Sequence, residues 1–224
     1  MTAQAAGRGG AGPPTEWIDG CVAAQHALDD ALVGLRDEQA RAPSLLAGWS
    51  VGHVLTHLAR NADSVVWRLE GAARGEVRDQ YPGGLAQRRA DIEAGAGRTA
   101  AELVADVART SAAVEAVPAG LPTAAWDAPS RTSRGVEPSR DALFSRWREV
   151  VVHHGDLGLG PVRWPPALVT PWLPRGLPRL AERADSEWAE GYVFSLAGPI
   201  YAGTNEIQRD IIAERLLGLP KGRR

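Results

Sequence analysis

An all-α fold, in which four long helices are joined by long crossings and followed by a C-terminal helical tail, is predicted by two features of the sequence. Apolar residues recur at alternating three- and four-residue intervals in four separate segments, which gives each segment one buried stripe as a helix. Between these segments lie long Gly- and Pro-rich connections, so the bundle is antiparallel in type with non-trivial connectivity. At 224 residues the chain can bury one principal domain and carry appendages.

Residues 1–14 are rich in Gly and Ala and read as a disordered leader without the apolar core of a signal peptide. The first helix is predicted over residues 15–40, through Trp17, Ile18, Val22, Leu28, Leu32 and Leu35, with Thr15 as N-cap and Pro43 as its end. Leu45 to Trp49 then form a short loop that sets an aromatic lid on the core. Ser50 caps the second helix, whose stripe is Val51, Leu55, Leu58, Ala62, Val65 and Leu69. On that helix His57 flanks the apolar stripe and His53 lies nearer the polar side. Six glycines between residues 71 and 98 mark a long connection around a short helical piece over 85–94. A third helix is predicted from about Thr99 to Val117, and a Pro-bracketed loop leads to a fourth that starts at Pro138 or Ser139. Beyond Gly160 come a proline-crowded span, a helical piece over 177–189 and an amphipathic helix ending at Leu217.

A formal net charge of −2 without a dense Lys/Arg run argues against a nucleic-acid or anionic-membrane partner. No apolar run approaches the ~20 residues of a membrane span. The one cysteine, Cys21, excludes an internal disulfide and any multi-cysteine metal site, and a reducing cytoplasm fits. Its apolar neighbours suggest a buried, inert thiol. Neither a G-x-S-x-G elbow nor a phosphate-binding glycine loop is present.

Chemistry concentrates on the fourth helix. Glu149 and His153 are four residues apart and present a carboxylate and an imidazole to one point, as half of a divalent-metal site or as solvated surface neighbours. Glu149 and His154 diverge by about 140° and cannot share a ligand, so the pairing favours His153; the alternative is that His154 is a packed core histidine and His153 an edge residue. Among the remaining histidines His57 is the better inward-facing candidate for a third ligand, and His26 reads as a surface residue. Two imidazoles and a carboxylate with an open fourth position suit zinc, nickel or iron.

The segment Gly48-Trp49-Ser50-Val51-Gly52-His53-Val54-Leu55-Thr56-His57-Leu58-Ala59-Arg60-Asn61-Ala62, together with Arg148-Glu149-Val150-Val151-Val152-His153-His154-Gly155-Asp156-Leu157, resembles the mycothiol-dependent maleylpyruvate isomerases, within the DinB-like metal-binding four-helix bundles. The resemblance covers roughly residues 15–185. It implies His57, Glu149 and His153 as ligands of a divalent metal, usually zinc. Asp156 matches an acidic residue that either orients a ligand from behind or ends the helix. The implied cofactor is mycothiol or another low-molecular-weight thiol, which the metal converts to a thiolate. That thiolate adds to the cis double bond of maleylpyruvate, and rotation and elimination give fumarylpyruvate. Related members resemble thiol transferases, and the partners implied are a small-molecule substrate and the thiol.

On this reading residues 1–14 are leader, 15–160 the metal-binding bundle, 161–190 a Pro-rich connection and helix, and 191–224 a tail. The full-length isomerases carry a small second domain that closes the site, and no stretch here resembles it. Instead Gly198-Pro199-Ile200-Tyr201-Ala202-Gly203-Thr204-Asn205-Glu206-Ile207-Gln208 onward resembles the C-terminus of an acyl-CoA dehydrogenase, in which G-T-N-E-I-Q touches flavin. Some members place a catalytic glutamate immediately before the G-T; Ala202 stands there in this chain. The alternatives to an isomerase are a non-catalytic metal-binding module and a remnant fused to a dehydrogenase terminus.

Overall fold

The computed structural model describes residues 12–133 and 135–181. In order along the chain they form α1 (Thr15–Leu32), α2 (Asp37–Arg41), α3 (Val51–Ala73), α4 (Gly84–Ala96) and α5 (Ala100–Gly120). After these come a 3-10 turn (Thr123–Trp126), β1 (Pro129–Thr132), β2 (Gly135–Pro138), α6 (Asp141–Asp156) and α7 (Pro166–Ala181). The chain divides into two compact units, one ending at Leu168 and the other beginning at Val169. The site lies in the first. Most of the expected leader and the expected tail over 191–224 lie outside the described residues.

The four long helices of the bundle are α1, α3, α5 and α6, and α3 is its centre. Sixteen of its 23 residues are buried, so it is wrapped on several sides, and it packs against α4, α5 and α6. The core joins Leu28 and Leu32 of α1 to Val54, Leu55 and Leu58 of α3, Leu103 and Val107 of α5, and Val150 of α6. Ser50 caps α3 as expected. Its hydroxyl accepts from the His53 amide at 3.3 Å, while the Ser50 amide donates to His53 Nδ1 at 3.2 Å. Thr99 caps α5 in the same reciprocal way with Glu102.

Several expected boundaries move. The helix predicted over 15–40 ends at Leu32, because Gly34 adopts φ 75°, which no right-handed helix accommodates, and α2 restarts the chain at Asp37. Thr15 is the first helical residue, and the N-cap is Pro14 without a side-chain cap. The loop before α6 holds an antiparallel hairpin, with Ser130 opposite Glu137. No helix among the described residues is long and apolar enough to cross a membrane.

A second stripe on α3 is polar and buried: His57, Asn61, Ser64 and Arg68 follow one another at intervals of four, three and four. Ser64 satisfies its hydroxyl on the Asn61 carbonyl at 2.8 Å, and Arg68 donates to Glu137 at 3.3 Å and Ser130 at 3.4 Å in the hairpin. This row therefore runs from the hairpin toward the chemistry at His57.

At its N-terminal end α3 touches the last turn of α4 so closely that a Cβ on Gly52 would lie 2.2 Å from the backbone carbonyl oxygen of Ala96. Alanine in a helix gains up to ~1 kcal/mol over glycine, but a clash against backbone costs ~1–3 kcal/mol. Gly52→Ala is accordingly expected to lower the free energy of unfolding by about 1–2 kcal/mol. Denaturant titration reads this directly, and a midpoint at or above that of the wild type would contradict it.

Candidate metal centre

Three side chains from two helices meet at one point. His57 comes from the middle of α3, and Glu149 and His153 from successive turns of α6. His57 Nε2 lies 3.3 Å and His153 Nε2 3.4 Å from the same oxygen, Glu149 Oε2. One candidate ligand atom from each of the three lies within 4.8 Å of the others. The imidazole rings stand edge to face, with centroids 4.6 Å apart.

Helix geometry explains the convergence. Residues 149 and 153 share a face by the i, i+4 rule, and the polar row of α3 brings His57 opposite them. His57 is 3% exposed, whereas Glu149 and His153 are half-buried. Burial lowers the His57 pKa to about 4 despite the hydrogen bond with Glu149, so that ring is neutral near pH 7. At Glu149 burial favours the neutral acid, but hydrogen bonds to His153 and His57 outweigh it and hold the carboxyl below its usual range. Burial also opposes charge on His153, and there Glu149 and Asp156 prevail and raise the pKa.

The donor set fits a small divalent ion. Two bonds of about 2.0–2.1 Å meeting at a tetrahedral angle put their ligand atoms about 3.3–3.4 Å apart, the separation of Glu149 Oε2 from each imidazole nitrogen here. Asp156 Oδ2 lies 2.8 Å from His153 Nδ1. A carboxylate behind a histidine fixes the tautomer with the proton on Nδ1 and turns the Nε2 lone pair forward.

The other histidines stay apart. His53 is held between Ser50 and Glu93, with Nε2 3.4 Å from the Glu93 carboxylate. His26 is exposed, 3.7 Å from Glu115. His154 lines a groove of about 670 Å³ with Gly20, Ala24 and Trp147, which contains none of the three converging residues. Cys21 is buried, and burial pushes its thiol up to about 11. Trp49, expected as a lid on the core, packs partly against it and also meets the His57 ring at a centroid distance of 5.7 Å.

Two residues at the site escaped the sequence reading. Arg88 of α4 places a guanidinium nitrogen 2.9 Å from His57 Nδ1. Arg146 lies fully buried beneath the site, bonded to Asn61, Gln25 and the Leu58 carbonyl. Above them a cleft of about 240 Å³ is lined by His57 and Glu149 with Arg68, Tyr81, Arg88 and Arg148.

Comparisons with known proteins place the fold that carries this cluster. Residues 21–158 match the profile of the mycothiol maleylpyruvate isomerase N-terminal domain. A solved mycothiol-dependent maleylpyruvate isomerase superposes with a TM-score of 0.67 at 23% identity, covering 70% of this chain and 67% of that one. A histidine-to-alanine variant of a mycothiol-dependent maleylpyruvate isomerase gives the same TM-score at 22% identity over the same shares. At this identity the likeness concerns the fold. A short match of 35 residues reaches acyl-CoA dehydrogenase IpdE1 of Mycolicibacterium smegmatis at 66% identity and its namesake in Mycobacterium tuberculosis at 63%. It takes up 16% of this chain and only 9% of either dehydrogenase, in agreement with the resemblance of the C-terminal tail.

Proposed function

We propose, on the premise that this chain belongs to the mycothiol maleylpyruvate isomerase N-terminal domain family, that it is a metal-dependent isomerase or transferase working with a small-molecule thiol. The reading rests on the convergence of His57, Glu149 and His153, with Glu149 Oε2 at tetrahedral ligand spacing from the two imidazole nitrogens. These three would hold the divalent ion, zinc being favoured by two imidazoles and one carboxylate, and Asp156 would orient His153.

Held by His57, Glu149 and His153, the ion would supply Lewis acidity that favours the thiolate form of a small-molecule thiol at neutral pH, the nucleophile needed for reversible addition to the cis double bond of maleylpyruvate. The protein's own thiol is unsuited to that task. Cys21 is buried with its pKa raised, and among the described residues there is no other cysteine. An external thiol such as mycothiol fits this deficit. Glu149 contributes a charge that its two imidazole neighbours keep ionised, and His57 contributes a neutral ring because burial disfavours its cation.

A metal-holding module without turnover is the second reading, because the three converging side chains can hold an ion whether or not a substrate is turned over. One experiment separates the two. Purified protein is expected to carry one divalent ion per chain and, with mycothiol added, to convert maleylpyruvate to fumarylpyruvate in an absorbance assay. Metal without conversion would select the module. Protein that neither retains nor takes up zinc would defeat both readings.

A further inference from the structure

His57 is engaged on both of its nitrogens, and the two engagements bear on each other. Arg88 NH2 lies 2.9 Å from His57 Nδ1, and Glu149 Oε2 lies 3.3 Å from His57 Nε2. A guanidinium has donors and no acceptor, so Nδ1 must accept from Arg88. The neutral ring then carries its proton on Nε2, directed at the Glu149 carboxylate. His153 is arranged the opposite way, with Asp156 behind Nδ1.

A metal ion bonds through the Nε2 lone pair. The ring proton would then sit on Nδ1, where it would meet the N–H groups of Arg88, donor against donor. No proton is gained or lost in this exchange; it moves from one nitrogen to the other. The present Arg88 contact and a metal bond at His57 are therefore mutually exclusive.

Arg88 is half-buried and has the means to be useful elsewhere. Its other contacts are a hydrogen bond from Nε to the Tyr81 hydroxyl at 3.2 Å and the Tyr81 ring, 5.6 Å from its guanidinium carbon. Among the described residues no carboxylate forms an ion pair with it. It lines the 240 Å³ cleft above His57 and Glu149, and also a groove of about 630 Å³ walled by Trp67, Tyr81 and Asp91. A half-buried cation without a counterion, at the junction of two openings, is a ready partner for the planar fork of a carboxylate.

We propose that Arg88 and the metal compete for His57, so that loading the site releases the Arg88 guanidinium into the cleft as the binding group for the carboxylate of a small organic acid. The proposal rests on the metal reading above and adds to it a specific anion-binding residue. Arg88 positions His57 in the metal-free protein and contacts the ligand in the loaded one.

The test uses the full chain stripped of metal, cobalt(II) as a spectroscopic probe and maleate as the small diacid. The exchange forfeits one charge-assisted hydrogen bond, which corresponds to about 10- to 100-fold in affinity. Arg88→Met is therefore expected to bind cobalt at least about 10-fold more tightly than the wild type. Maleate is expected to shift the cobalt absorption of the loaded wild type, and to do so at least about 10-fold more weakly in Arg88→Met. Histidine nitrogen NMR on the wild type provides a readout that needs no variant: the His57 proton is expected on Nε2 without metal and on Nδ1 with zinc. A metal-free ring already protonated at Nδ1 would overturn the proposal, as would a folded Arg88→Met that binds cobalt no more tightly than the wild type. Either result leaves the metal reading standing. A wild type that binds no cobalt overturns both.

Discussion

Replacing Glu149 with glutamine is expected to reduce zinc affinity by more than about a hundredfold while leaving the fold intact. Loss of an outer-shell partner of a metal ligand typically costs about 10- to 100-fold, and loss of a ligand's charge exceeds that. Glu149 supplies the carboxylate of the converging set, and its Oε2 lies 3.3 and 3.4 Å from the two imidazoles. Glutamine keeps the shape and one acceptor but presents an amide to a dication. The half-buried position, open to the cleft, gives the new amide access to water, so helicity and melting are expected to change little. Competition against a chromophoric chelator measures the affinity. Wild-type zinc affinity in the variant would remove Glu149 from the site. Asp156→Asn, which weakens the orientation of His153 without touching the ion, is expected to cost only about tenfold in the same titration.

The parts of the site legible in the sequence are those that obey helix periodicity. Glu149 and His153 are four apart on α6, and the flank position of His57 on α3 distinguished it from His53; Ser50 announced the start of that helix. Features set by distant partners were not legible. Arg88 meets His57 across 31 residues of sequence through a glycine-rich connection, and nothing in the composition of α4 marks it. Arg146 looks like any charged residue three places before Glu149, yet its neighbours come from α1 and α3. The break at Gly34 depends on one left-handed dihedral angle, and the hairpin over 129–138 is held in part by Arg68 reaching it from α3. The polar row His57, Asn61, Ser64, Arg68 is periodic, however. It is visible as a second stripe once polar residues are placed on the same wheel as the apolar ones.

That row depends on Arg146, whose replacement by methionine is expected to have the largest effect on stability. The guanidinium is 0% exposed and its bonded partners are all neutral. Nε and NH2 both donate to Gln25 Oε1, at 3.1 and 2.7 Å, and NH1 donates to the Leu58 carbonyl at 2.7 Å and Asn61 Oδ1 at 3.0 Å. One side chain thus fastens α1 and α3 to α6 just below His57. Burial works against the charge and lowers the pKa of this group, so methionine relieves a desolvation penalty. It also leaves the buried side-chain acceptors of Gln25, 0% exposed, and Asn61, 5% exposed, without their donors. Each buried group left unsatisfied costs about 1–3 kcal/mol. The loss of partners prevails, and Arg146→Met is expected to destabilise the bundle by about 3 kcal/mol. At 2–4 °C per kcal/mol, that lowers Tm by roughly 6–12 °C. Adding Gln25→Leu, which removes an orphaned acceptor, is expected to recover part of the loss, because replacing both partners costs less than stranding one. Denaturant unfolding of the two variants checks both statements. A single variant within about 0.5 kcal/mol of wild type, the range of an ordinary surface substitution, would show that Arg146 does not fasten the helices that hold the site.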